Sequence, residues 1–167
     1  MQKAVSSAQL NVQETTKMAV VASLYVAVTV MLSVISFGAV QLRLSEMFNY
    51  LVLFHKRYIV AVTLGVVIAN FFSPMWWIDV PVGGLATLVV LIICRIATRN
   101  IDNIVWKLII TGVIFTISMF TVATQLMIVF DLPFWSTYGI VAVGEALSML
   151  VGGVTMYLLH KKIDFTK

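Results

Sequence analysis

The sequence predicts an all-α integral membrane protein with six transmembrane helices. Three observations carry that prediction. Of its 167 residues 61% are hydrophobic and only 11% charged, with a mean hydropathy of +1.04. A soluble domain carries about 25% charged residues. The apolar residues are gathered into runs divided by short basic or Pro-containing stretches. All of the 11 Lys and Arg except Arg43 fall on one side of a six-helix arrangement. Such a bias places both termini in the cytoplasm of a multi-pass protein of the cell membrane. The net charge of +4 is scattered in pairs between apolar runs, which gives no surface for nucleic acid.

The polar residues 1–17 read as a cytoplasmic N-terminal segment, residues 18–162 as a six-helix transmembrane domain and residues 163–167 as a cytoplasmic tail. Met18 to Ser36 is the first span, ~28 Å at 1.5 Å per residue, and an uncleaved helix because further spans follow. Along it Ala19, Ser23 and Ala27 recur every four residues. Small residues at that spacing let a second backbone approach closely, either inside the bundle or on a partner subunit.

Between the first two apolar runs lies Phe37 to Tyr50, containing Gln41, Arg43, Glu46 and Asn49. A charge deep in a bilayer costs roughly 2.5 to 3.5 kcal/mol, so both signs at this depth call for a use. Arg43, Glu46 and Asn49 are three apart, which puts them on one helical face with Tyr50 beside them. They form a recognition surface for a small polar molecule or a structural ion pair at a helix mouth. The second helix, ending at His55-Lys56-Arg57, is about a dozen residues and too short to span alone. A short helix beside polar loop points to a cavity, because irregular backbone in lipid must face protein or water.

Tyr58 to Phe72 is the third segment, with Asn70 near its end and Ser73-Pro74 as its stop; Met75 to Pro81, containing Trp76, Trp77 and Asp79, reads as a loop at the membrane surface. Gly83-Gly84 opens the fourth segment, which runs to Ala97, and Ile101 to Lys107 is a polar turn. Leu108 to Phe130 is a long, uninterrupted fifth helix whose Thr111, Ser118, Thr121 and Gln125 make an inward polar stripe. Asp131 to Trp135 is a second loop, and Tyr138 to Leu159 the sixth helix, with Glu145 in its outer half and a Gly144, Ser148, Gly152 seam.

This topology brings Arg43, Glu46, Asn70, Asp79, Gln125 and Glu145 to one outward-facing pocket, with Trp76, Trp77, Phe134 and Trp135 near enough in sequence to roof it. Several carboxylates with one arginine suit a ligand rich in N–H donors, and flat aromatic walls suit a planar ring. Neither His55 nor His160 has a Ser partner at its depth, the lone Cys94 reads as a small buried hydrophobe, and no Gly-rich phosphate loop with its Lys occurs. The chain is therefore expected not to be an enzyme and to bind no metal or cofactor; if it transports uphill, its energy comes from a partner or an ion gradient. Two alternatives remain: a structural membrane protein whose polar groups tie the bundle together, and a stand-alone proton-coupled carrier relayed through Glu145.

Val40-Gln41-Leu42-Arg43-Leu44-Ser45-Glu46, Ile68-Ala69-Asn70 followed by Asp79 and Gly83-Gly84-Leu85-Ala86-Thr87-Leu88, and Gly144-Glu145-Ala146 resemble, in order and spacing, the substrate-binding S components of energy-coupling factor (ECF) transporters, most closely the QueT family of queuosine-precursor transporters. The resemblance runs from Met18 to Lys162. It implies an S-component bundle that captures a deazaguanine such as preQ1, and a coupling module of one transmembrane T subunit and two ABC-type ATPases that use the ATP. It further implies that Glu46 and Glu145, unassigned between them, accept the guanine-edge donors and the ammonium arm. Asn70 would read the ring, Asp79 hold the loop or the amine, and Arg43 bond a ring carbonyl or orient Glu46. Trp76 or Trp77 would stack on the ring, and Ala19, Ser23 and Ala27 would dock the T subunit. Phe48, Asn49 and Tyr50 depart from the aliphatic run expected there, which adds Asn49 and Tyr50 to the ligand contacts. Neighbouring S components take riboflavin, folate, thiamine or biotin, so another vitamin is the alternative ligand.

Overall fold

The computed structural model describes the backbone of residues 2–38 and 41–166, and side chains from residue 12 onward within those ranges. Met1, Ala39, Val40 and Lys167 lie outside the described residues, so Val40 of the family-like block is not placed. All regular structure described is helical: α1 (Gln2–Met31), α2 (Ser33–Ser36), a 3-10 helix (Leu44–Leu53), α3 (Arg57–Asn70), α4 (Trp76–Ile78), a π-turn (Asp79–Gly83), α5 (Gly84–Thr98), α6 (Ile104–Ser118), α7 (Phe120–Phe130) and α8 (Phe134–Leu159).

Four stretches are long and apolar enough to cross a membrane: Val12–Met31, Trp76–Thr98, Ile104–Phe130 and Phe134–Leu159. Helix α3, with 14 residues, and the 3-10 helix are the two shorter apolar segments between them. The surface of the bundle is apolar, its exposed positions dominated by Val, Ile, Leu and Phe, and inside it an apolar core around Tyr25, Leu51, Val62 and Leu91 is joined by the buried polar residues Ser45, Asn49, Asn70, Thr111, Glu145 and Ser148. In lipid the polar groups can find partners only inside.

Several boundaries differ from those the sequence implies, each for a local reason. Helix α1 begins at Gln2, so the segment before Met18 is helical, and it breaks at Leu32 before the turn of α2. Ser73 and Pro74 do stop α3, but the expected loop from Met75 to Pro81 is wound from Trp76 onward, and Trp76–Thr98 is one helical run. Pro81 supplies no N–H and its ring crowds the carbonyl a turn back; the wider π spacing of Asp79–Gly83 accommodates it without ending the helix. The fifth segment starts at Ile104, where the Asn103 side chain caps Val105 N–H at 2.8 Å, and it is interrupted at Met119. There the Ser118 hydroxyl donates to Phe115 C=O at 2.7 Å and Thr121 to Ser118 C=O at 2.9 Å, back-bonds that bend helices. The inward stripe holds, with Thr111, Ser118 and Gln125 buried. Helix α8 starts directly after Pro133, placing Trp135 in its first turn rather than in a loop.

The second segment is a 3-10 helix of 10 residues. At ~2.0 Å rise it reaches ~20 Å, further than the α geometry expected for it, and at three residues per turn Glu46 and Asn49 stand directly above one another. Its far end is capped by Arg95, whose guanidinium donates to Val52 C=O at 2.8 Å. Close helix contacts flank it. A Cβ on Gly152 of α8 would come within 2.7 Å of Met47 Cα, and one on Gly65 of α3 within 2.8 Å of Tyr25 Cβ on α1. The Gly144, Ser148, Gly152 seam is therefore the surface on which α8 receives the 3-10 helix.

The basic end of the bundle is tied by Arg57, which bonds Glu14 of α1 at 3.2 Å and Thr166 C=O at 3.3 Å and lies over the Tyr58 ring. Phe165 packs on Phe54, so the last residues fold back on the bundle. His55 accepts Arg57 N–H through Nδ1, and loss of water together with the nearby Arg57 guanidinium pushes its pKa below the ordinary value. Arg57→Ala is expected to cost about 1.5 kcal/mol and to speed tryptic cleavage after Lys161 or Lys162, read by mass spectrometry of a timed digest.

Candidate functional site

Ser36, the 3-10 helix, the end of α3, the π-turn, α7 and α8 meet around a continuous set of buried polar groups. Its outer tier is a cavity of about 400 Å³ lined by Phe37, Gln41, Ser73, Asp79, Phe130 and Thr137 among others. The Asp79 carboxylate is its charged group, held in place by hydrogen bonds from the Ser73 hydroxyl and the Gln125 amide. Asn70 Nδ2 donates to Asp79 C=O at 2.7 Å, an approach that Gly83 permits, since a Cβ there would fall 2.6 Å from that nitrogen. Gln41 sits at the rim with φ of +50°, a left-handed conformation that costs a non-glycine residue on the order of 1 kcal/mol or more and is concentrated at binding sites.

Arg43 forms the layer beneath. Its Nε donates to Ser36 C=O at 3.2 Å, its Nη1 to Asn70 Oδ1 at 3.4 Å, and its guanidinium lies over the Phe37 ring at 5.2 Å. Arg43 N–H donates to the Ser148 hydroxyl at 3.0 Å, which fixes the start of the 3-10 helix on α8. Among the described residues Arg43 closes an ion pair with neither carboxylate, so the helix-mouth ion pair the sequence allowed is not formed.

The inner tier holds Glu46 and Glu145. Glu46 accepts the Tyr25 hydroxyl from α1 at 2.8 Å and the Asn49 amide from one 3-10 turn below. Thr29 and Ser45 share a hydrogen bond of 2.6 Å alongside. Glu145 is 3% exposed, close enough to Glu46 and Arg43 to interact electrostatically with both, and its Oε1 meets no hydrogen-bonding group among the described residues. Asn49 Oδ1 and Ser36 Oγ are likewise buried without a partner. Buried polar atoms are nearly always paired, so the unpartnered oxygen of the buried Glu145 carboxyl is a group left ready to accept a donor.

Of the residues the sequence nominated, the structure gathers Gln41, Arg43, Glu46, Asn49, Asn70, Asp79, Gln125 and Glu145 into this system. It separates four others. Tyr50 turns away, its hydroxyl donating to Met149 C=O at 2.8 Å between Gly112 and Gly153. Trp76 and Trp77 are 53% and 58% exposed and stand outside the cavity lining, the Trp76 ring against Phe71. Trp135, 80% exposed, roofs nothing. The helical winding of 76–83 turns the tryptophans outward as it turns Asp79 inward, and the aromatic walls of the cavity are Phe37 and Phe130. Tyr25, Ser36, Ser73 and Thr137 were not nominated. Tyr25 alone had a readable signal, a phenol on the apolar first helix one residue type removed from its Ala, Val and Leu neighbours.

Ala19, Ser23 and Ala27 lie on the opposite face of α1 from Tyr25 and Thr29. They are exposed and line a shallow groove with Thr16, Val20 and Leu24. Internal packing is therefore not their role; α1 packs inward through Ala22, Tyr25 and Thr29.

Comparison with known proteins gives two positive findings. The family model described as QueT transporter matches residues 15–161. The queuosine precursor transporter QueT of Lactococcus lactis subsp. cremoris is 41% identical over 158 residues, covering 89% of this chain and 93% of that protein. No solved structure matches the chain. A family match over residues 15–161, with a relative aligned over most of both chains, is decisive: the chain belongs to the QueT transporter family.

Proposed function

We propose that this chain is the substrate-binding S component of an ECF-type importer and that it captures a queuosine precursor, a preQ1-like deazaguanine, from outside the cell. The observation that carries the reading is the unpartnered Glu145 Oε1, buried near Glu46 and Arg43 in a member of this family. A deazaguanine edge presents adjacent N–H donors, and preQ1 adds an ammonium; carboxyl groups accept both. Glu46 already accepts from Tyr25 and Asn49, whereas Glu145 keeps an oxygen with no partner, so Glu145 has the larger capacity left for the ligand. Asp79 in the outer cavity receives the ligand on entry, Arg43 and Asn70 read ring atoms, and Phe37 and Phe130 cover its faces.

The same reading gives six spans, with α3 and the 3-10 helix as the two short ones, and both termini in the cytoplasm beside the basic residues. The chain uses no cofactor of its own; ATP is consumed by two ATPase subunits joined to it through a transmembrane T subunit. The outward seam of Ala19, Ser23 and Ala27 supports a helix docking there, since small residues permit close backbone approach.

The test is a thermal-shift panel on purified protein with preQ1, preQ0, queuine, guanine, riboflavin and thiamine. A ligand bound only by the folded state adds about 2.7 kcal/mol at a hundredfold excess over its Kd. A shift confined to the deazaguanines is expected. A shift with riboflavin or thiamine instead reassigns the substrate, and folded protein that responds to none of them overturns the binding role.

A further inference from the structure

Away from the polar site, α6 and α8 leave a groove of about 780 Å³ open to the surroundings. Its depth comes from two glycines. A Cβ on Gly112 or Gly153 would lie 3.2 or 3.1 Å from the Tyr50 hydroxyl, so the two glycines leave the groove deep enough to reach the buried Tyr50 at its floor. The Tyr50 hydroxyl is itself satisfied by Met149 C=O, which leaves the floor apolar in character. The groove runs from Val105 to Ile117 along α6 and from Ala146 to Tyr157 along α8. At 1.5 Å per residue that is ~16 to 18 Å, about one leaflet of a ~30 Å hydrocarbon core. A partner helix that crosses the bilayer would need a groove of twice that length.

One end of the groove is basic. Lys161, exposed, holds its ammonium 4.3 Å over the ring of Tyr157, the last groove residue of α8. Lys162 follows it and Lys107 lies in the first turn of α6. The acidic groups nearest in sequence are Asp102, in the loop before α6, and Asp164, whose Oδ1 already accepts Thr166 N–H and hydroxyl. An apolar slot one leaflet long with an ammonium at its mouth has the form of a single lipid.

We infer that this groove binds an anionic phospholipid, with one acyl chain laid between α6 and α8 on Tyr50 and the phosphate headgroup at Lys161. The site is separate from the polar cavity and is filled from the leaflet that bathes the basic end of the bundle. Headgroup attraction to one lysine near a membrane surface corresponds to about a fivefold preference for anionic over neutral lipid.

The experiment is native mass spectrometry of the full-length chain after exchange into micelles holding equal amounts of phosphatidylglycerol and phosphatidylcholine of identical acyl chains. Retention of one phosphatidylglycerol at about five times the phosphatidylcholine level is expected. Lys161→Glu should abolish the preference, and Gly153→Leu should cut retention of either lipid. Val154→Trp, at an exposed rim position, closes the slot from outside and keeps the test readable if the glycine variant does not fold. Equal retention of the two lipids, retention unchanged by Val154→Trp, or a chain dimer in place of bound lipid would each overturn the assignment.

Discussion

Glu145→Gln is expected to lower the affinity for the deazaguanine ligand about a hundredfold or more while leaving thermal stability within about 1 kcal/mol of the parent. Replacing one partner of a buried, charge-assisted hydrogen-bonded pair costs 2 to 5 kcal/mol of binding, and 2.7 kcal/mol is a factor of 100. The stability half follows from what Glu145 lacks. Its Oε1 has no partner among the described residues, so folding draws little on it. Glu46 is the contrast, because its carboxylate holds Tyr25 from another helix and Asn49 from its own. Glu46→Ala strands both donors in the core and is expected to cost about 3 kcal/mol of stability before any ligand is added. Isothermal titration and thermal unfolding of both variants separate the two roles. Equal stability losses for Glu145→Gln and Glu46→Ala would show that Glu145 is structural and would sink its assignment to the ligand.

Gly152→Ala is expected to destabilise the chain by about 2 to 3 kcal/mol although it adds a single methyl group. That methyl would meet Met47 Cα at 2.7 Å, Cβ at 2.8 Å and N at 3.2 Å, and two of those three atoms are backbone that cannot turn aside. The 3-10 helix must back away from α8, at the upper end of the usual overpacking cost. The displacement is passed to the site through the bond from Arg43 N–H to Ser148, one turn along the same seam, so ligand affinity falls with stability. Gly139→Ala supplies the control on the same helix. Nothing lies within 4 Å of its added Cβ, and the change is expected to be neutral or to stabilise by up to about 1 kcal/mol. Melting curves for the pair decide the matter; equal midpoints would mean that the seam is looser than the structure has it.

The class of the protein and the residues of its polar site were legible because lipid makes them so. A carboxylate, guanidinium or carboxamide inside an apolar run has few explanations, and Arg43, Glu46, Asn70, Asp79, Gln125 and Glu145 were found for that reason and do come together. Aromatic residues gave no such purchase. Tyr50, Trp76, Trp77 and Trp135 suit a ring-binding wall, a membrane surface and a helix contact alike, and side-chain type does not say which way a helix turns them. The geometry of the second segment was hidden for a different reason. A spacing of three between Glu46 and Asn49 fits an α-helix loosely and a 3-10 helix closely, and nothing in composition separates the two. The winding of Trp76–Gly83 was masked by Pro74 and Pro81, which punctuate most sequences as loop; here Pro74 precedes the winding and Pro81 sits inside the π-turn.

The 3-10 helix has a mechanical consequence. Ten residues in that geometry are ~5 Å longer than the same ten in α form, and each successive residue is rotated 20° further about the axis. The segment is thus a wound spring lying against α8, with Arg43 at one end and the Arg95-capped carbonyl of Val52 at the other. Relaxing it to α geometry would shorten it by ~5 Å, about three residues of α-helix, and swing Asn49 about 60° away from Glu46. The carboxylate would then lose the donor it holds now. A length change along the bundle axis and a change in what the buried carboxylate can accept are, in this segment, one coordinate.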